Sequence, residues 1–195
     1  MDPTLLWYLD RSTGLLLVLL LGAVTALGVL TSGGRPAGRL PRFATQALHR
    51  NLALVSLALL AAHVLLAVAH EYVDIRLVDA VLPGVARWEP LWLGLGTIAT
   101  DLILVVAVTS GLRARLGGRS WRAVHLSAYA AWLLGTLHGL GIGTDLGWSS
   151  LTAPSWAQAP FLVGVALVVA AVGVRVVRRP AGDVLDPTPT AGALR

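Results

Sequence analysis

The stretch LHRNLALVSLALLAAHVLLAVAH, Leu48–His70, is a run of Leu, Ala and Val interrupted by His49, His63 and His70. A second stretch, WRAVHLSAYAAWLLGTLHGLGIG, Trp121–Gly143, carries His125 and His138. The steps are 14 residues from His49 to His63 and 13 from His125 to His138. Apolar runs of this length read as membrane spans, since about 20 helical residues cross a hydrocarbon core of roughly 30 Å. An imidazole in hydrocarbon needs a partner. Two matched pairs on two spans point to metal as that partner, and their separation suits two haems stacked one above the other.

Composition agrees with a membrane chain. Of 195 residues, 56% are hydrophobic and only 13% are charged, well outside the range of soluble domains. All 15 basic residues are Arg. Because these arginines sit in loops between apolar spans, the net charge of +5 speaks for membrane orientation rather than for nucleic acid. The absence of Cys excludes disulfides, iron–sulfur clusters and zinc–thiolate sites.

Outward from the two histidine stretches, the chain divides into five spans. Residues 1–12 are short and mixed in charge, and their acidic start does not suit a cleaved signal peptide. The spans are expected at 13–31, 43–70, 91–112, 121–142 and 158–177. The loop at 32–42 is Gly- and Pro-broken and carries Arg35, Arg39 and Arg42. Residues 71–90 form a loop of mixed charge. Residues 113–122, RARLGGRSWR, are strongly basic. Residues 143–157 hold Asp145, Trp148 and Trp156, and 180–195 read as a disordered cytoplasmic tail. The fold class expected is all-α: a polytopic membrane helix bundle of five transmembrane helices filling residues 1–179. No strand alternation competes, and an open sheet edge has no partner in lipid. The basic segments fall on one side of the bilayer, which puts the N-terminus outside and the C-terminus in the cytoplasm of a multi-pass, bacterial-type cell membrane protein. Trp7, Tyr8, Trp88, Trp92, Trp148 and Trp156 are expected as an aromatic belt at the outer interface.

Spans two and four run in the same direction, so same-level histidines come from different helices. His49 pairs with His125 near the cytoplasmic end, and His63 with His138 roughly 20 Å higher. Each pair is an axial imidazole set of the kind that holds haem iron. At 100° per residue the 14-residue step leaves His49 and His63 about 40° apart, on one face. The 13-residue step leaves His125 and His138 about 140° apart. Either span four is irregular near Gly135 and Gly139, or its two imidazoles reach their haems from different sides.

The segments LHRN (Leu48–Asn51), VTSGLRARLG (Val108–Gly117), WRAVH (Trp121–His125) and LHGLGIGTD (Leu137–Asp145), with His63, carry a resemblance. Over roughly residues 43–145 the chain resembles the ferric reductase-like transmembrane domain family. That family includes iron reductases, NADPH-oxidase membrane cores and the haem membrane subunit of the methionine sulfoxide reductase system. The resemblance implies that His49, His63, His125 and His138 bind two haem b groups and that the chain moves electrons across the membrane. Many members have six helices, and reductase members add a flavin and NADPH domain. Here no glycine-rich dinucleotide fingerprint follows a strand, since Gly94 and Gly96 lie inside a span.

Further residues fit around this framework. Trp132, seven residues after His125, and Ser56, seven after His49, suit the gap between the two haems. Arg50, beside a ligand, is the first choice for the inner haem propionates, with Arg42 and Arg122 as further candidates. Asp101 lies near the middle of span three and is expected to face the bundle interior. It would act in proton coupling, or hydrogen-bond Thr97, Thr100 or a ligand histidine. His70 is expected at the outer interface.

The function expected is transmembrane electron transfer by a di-haem cytochrome b. Its partners would be the lipid bilayer, a cytoplasmic flavoprotein reductase or the quinone pool as donor, and an extracytoplasmic electron acceptor. The competing expectations are a histidine-based proton or metal-ion transporter, and a membrane anchor or assembly subunit without redox turnover.

Overall fold

A helix suits these long continuous apolar runs, because it satisfies every main-chain N–H and C=O within the segment. A computed structural model describes residues 3–32, 41–69, 73–143 and 158–178, and among them the regular structure is all helical. The five helices are α1 (Pro3–Thr31), α2 (Arg42–Ala69), α3 (Pro90–Gly111), α4 (Gly118–Ile142) and α5 (Gln158–Val177). Four of them, α1, α2, α3 and α5, are long and apolar enough to cross a membrane. At 25 residues α4 has the length too, but Arg119, Arg122, two histidines and its Ser and Gly residues dilute its apolar character.

Two boundaries correct the sequence reading. α1 starts at Pro3, about ten residues before the expected span, so Asp10 and Arg11 stand on the helix. The polar residues there are too sparse to break a helix whose other positions are Leu, Trp and Tyr. α4 begins one turn early, at Gly118. His70, Trp148, Trp156, Asp145, Arg35, Arg39 and the tail expected over 180–195 lie outside the described residues.

α1 is the hub: it packs against α2, α5 and α4, and α3 packs against α4. With no hydrophobic drive between helices in lipid, small residues that admit close approach decide such packing. The α1–α5 crossing shows this most sharply. A Cβ on Gly22 would lie 2.5 Å from the Gly164 carbonyl oxygen, and one on Gly164 would lie 2.7 Å from that of Val18. Farther along the same crossing, the Arg175 guanidinium donates to the Val29 carbonyl at 3.0 Å. The buried hydroxyls of Thr45, Ser56 and Thr136 each donate to the carbonyl four residues back, so their helices satisfy them internally.

The segment between α2 and α3 folds over one end of the bundle. Its anchor is Asp79, whose carboxylate is buried. Asp79 accepts from the Arg76 main-chain N–H at 2.8 Å and from the Arg76 guanidinium at 2.6 and 3.1 Å. These bonds to the side chain and main chain of Arg76 hold the Asp79 carboxyl below its ordinary pKa, against the opposing effect of burial. Thr97 of α3 donates to the Asp79 carbonyl at 2.8 Å. Gly84 takes a φ of +81° in this segment, and the Gly84 amide sits over Gly94, where a side chain on Gly94 would press.

Candidate functional site

The two helices carrying the histidines do not pack broadly on each other. α2 joins the bundle through α1, and α4 through α3 and α1. The gap between α2 and α4 is where the histidines face.

At the basic end the rings of His49 and His125 are 6.2 Å apart, centre to centre, with planes at 61°. Two imidazoles on opposite sides of one first-row metal ion, at about 2.0–2.1 Å per nitrogen and roughly 1.1 Å from nitrogen to ring centre, have centres about 6.3 Å apart. The ring centres of the pair are thus about as far apart as those of two imidazoles on one metal ion. His49 Nδ1 donates to the Val24 carbonyl of α1 at 3.0 Å. His125 Nδ1 lies 3.4 Å from Ser110 Oγ of α3. His125 also stacks on Trp121, 4.9 Å between ring centres and 26° between planes.

At the other end His63 and His138 both line one cavity of about 760 Å³, within the usual range for a small-molecule or cofactor site. Its walls come from α1, α2, α3 and α4 with Phe161 of α5, and the α2–α3 segment closes over it with Val73, Ile75 and Trp88. His63 Nδ1 donates to the Asp10 carbonyl at 3.1 Å and lies 3.3 Å from Thr13 Oγ1. Asp10 Oδ1 is 3.0 Å from the same nitrogen but off its N–H axis, so that oxygen has no hydrogen bond of its own. His138 Nδ1 donates to the Trp92 carbonyl of α3 at 2.9 Å.

A repeated seat underlies these contacts. Three rings donate to the main-chain carbonyls of Asp10, Val24 and Trp92, and in each case the residue four further on is glycine: Gly14, Gly28 and Gly96. A helical carbonyl is already bonded to the N–H of the residue four ahead, so the side chain there flanks it. Without a Cβ the flank is open, and the imidazole reaches the carbonyl. A Cβ on Gly96 would lie 2.6 Å from His138 Nδ1, one on Gly14 3.1 Å from His63 Cε1, and one on Gly28 3.6 Å from His49 Cε1. The seats on α1 recur after 14 residues, matching the His49–His63 step. On α3 the position 14 residues after Gly96 is Ser110, and there the hydroxyl itself meets His125. A neutral imidazole that donates from Nδ1 carries its lone pair on Nε2, the usual arrangement for a metal ligand.

The continuous helix of α4 removes one of the two explanations for the 13-residue step: there is no irregularity at Gly135 or Gly139. Gly135 meets Ala99, Gly139 meets Phe161 and Val18, and Gly141 makes room for the Trp92 ring. These glycines serve close packing.

Other expected site residues are partly relocated. Trp132 is half-buried and lines the cavity, with its indole N–H buried and without a partner. Ser56 is buried beside its own helix and does not line that cavity. Arg50 is exposed and, like Arg42 and Arg122, makes no hydrogen bond or ion pair among the described residues. The guanidinium that sits against the inner site is that of Arg113, 4.3 Å over the Trp121 ring. Asp101 is half-buried and bonds neither Thr97 nor a histidine; the Thr97 hydroxyl instead serves Asp79 and Leu93. Of the aromatic residues expected at the outer interface, Trp88 lines the cavity and Trp92 packs on Gly141. Asp10, which bonds His63, Trp121, which stacks on His125, and Arg113, which lies over Trp121, were not singled out from the sequence for these contacts. The glycines at 14 and 28, in register with the histidine step, were the available signal for the α1 seats.

Among the described residues no group of three or more His, Asp or Glu side chains is placed to hold a bare metal ion. The bundle offers pairs of imidazoles. Residues 5–145 match the family model described as "Domain of unknown function (DUF8596)", and the chain belongs to that family. The matched region includes both histidine levels and leaves α5 outside. No curated protein and no solved structure matches the chain.

Proposed function

We propose that this chain is a five-span membrane cytochrome b of the ferric reductase-like type, holding two haem b groups in series. The carrying observation is the His49–His125 separation of 6.2 Å; at the other end His63 and His138 line one cavity. The glycine seats support it, because each opens a flank for a ring whose Nε2 is left to bind metal. Bound haem supplies a one-electron carrier at each level. The protein's part is to fix four imidazoles, keep bulk water from them with α1, α3 and the α2–α3 segment, and set the two levels roughly 20 Å apart along α2.

Charge gives the direction. Arg42, Arg113, Arg115, Arg119, Arg122 and Arg178 cluster at the end holding His49 and His125, whereas at the other end Asp10, Asp74, Asp79 and Glu89 are mixed with Arg11, Arg76 and Arg87. By the positive-inside rule the first end is cytoplasmic in a cell membrane. An exposed arginine surface attracts an acidic electron-donating protein, and salt screens that attraction. Electrons thus enter from a separate cytoplasmic flavoprotein and leave to an acceptor outside; quinol is the second donor compatible with these residues.

Oriented vesicles test this. Reduced flavoprotein on the arginine side should reduce the protein's haem absorption bands, faster at low salt, and an impermeant acceptor on the far side should reverse the change. Reduction only from the far side, or only by quinol, overturns the direction. Proton or metal-ion flux from vesicles of haem-free protein would favour the transporter reading.

A further inference from the structure

Trp121 holds a buried indole N–H with no hydrogen-bond partner. Two contacts fix the ring that carries it. One face of its side chain stacks on His125 at 4.9 Å, and the Arg113 guanidinium lies 4.3 Å from the ring centre. Arg113 comes from the turn after α3, and Trp121 from the first turn of α4, so one tight connection supplies both groups. The inner site therefore has, beside one of its two imidazoles, an unpaired neutral donor and a cation. Neither group is needed to ligate a metal. A buried donor without an acceptor is unfavourable, and a guanidinium is suited to carboxylate through its fork of N–H groups. Arg50, Arg42 and Arg122, on the same end, point to no such arrangement.

We infer that Trp121 and Arg113 form the anion clamp of the inner site, the indole N–H and the guanidinium together binding a carboxylate carried by the ligand held between His49 and His125. The inference rests on the haem assignment, in which that carboxylate is a propionate. It also gives the inner site a selectivity that the histidines alone do not have: for a ligand that is anionic at its edge.

The test loads the full chain, in detergent, with haem b or with haem b dimethyl ester, whose carboxylates are blocked. Occupancy of each site is read from the spectrum of the bound form, and the ratio of the two dissociation constants is the readout. The unmodified chain should prefer haem b at the inner site by roughly ten- to a hundredfold, the ratio a charge-assisted hydrogen bond supplies. Trp121→Phe keeps the stack and should lose much of that preference. Arg113→Gln should do the same without touching the core, and serves if the tryptophan variant does not fold. The outer site should keep its own ratio in both variants. An undiminished inner preference in Arg113→Gln, or in a folded Trp121→Phe, overturns the clamp. Failure of the unmodified chain to bind either compound overturns the haem assignment itself, a different result.

Discussion

At the residue scale the geometry turns on which nitrogen of each imidazole is tied down. Main-chain carbonyls take Nδ1 of His49, His63 and His138, and glycines make those carbonyls reachable. Gly96→Ala places a methyl 2.6 Å from His138 Nδ1, so the ring must leave its seat. The variant should bind haem at the inner pair only, measured as haem per chain. Retention of both groups would show that the seat does not position the ligand. Asp79 yields a second expectation. Its folded pKa lies below the unfolded value of about 3.9. Between those two values the unfolded chain binds more protons, so the stabilisation is full above about pH 4–5 and is lost as pH falls through the folded pKa. Asp79→Asn should therefore melt lower than the unmodified protein at pH 7, and the gap should close in acid. A gap independent of pH would mean that the carboxylate's charge does not matter there.

At the element scale α1 is the member on which the others depend. The Gly22–Gly164 crossing leaves no room for a methyl, and forced separation of closely packed helices costs about 1–3 kcal/mol. Gly22→Ala should lower the melting temperature of the purified protein while sparing the histidine pairs. Gly111→Ala, where a Cβ meets nothing, should be neutral at that site. An unchanged melting temperature in Gly22→Ala would show that the crossing can relax. This helix was also where the sequence was least legible. The apolar period located five helices and their order, because continuous hydrophobicity is the dominant signal in lipid. It did not extend α1 back to Pro3, since Asp10 and Arg11 read as a break when tertiary partners are unknown. Asp10 then escaped notice, although its carbonyl receives His63. The same-level pairing of His49 with His125 was legible from spacing and topology alone. Arg50 was preferred to Arg42 and Arg122 on proximity in sequence to His49; the contact of Arg113 with Trp121 is created by the α3–α4 turn and was not legible. Asp101 was expected to face the bundle interior because mid-span carboxylates usually do; it is half-buried, and Thr97 bonds Asp79 and Leu93 instead.

At the scale of the whole molecule the four histidines stand at two levels, on α2 and α4, with α1 and α3 packed beside them. The inner site is compact, with rings 6.2 Å apart; the outer opens into a cavity capped by the Asp79 segment. The most direct measurement is the haem content of the purified chain and of its four histidine-to-alanine variants, read with the low-spin signals of the oxidised protein. The unmodified chain should carry two haem b groups, both six-coordinate. His49→Ala and His125→Ala should each lose the same group and its signal, and His63→Ala and His138→Ala should each lose the other. One haem per chain, none at all, or His49→Ala and His138→Ala silencing the same signal would contradict the two-site account.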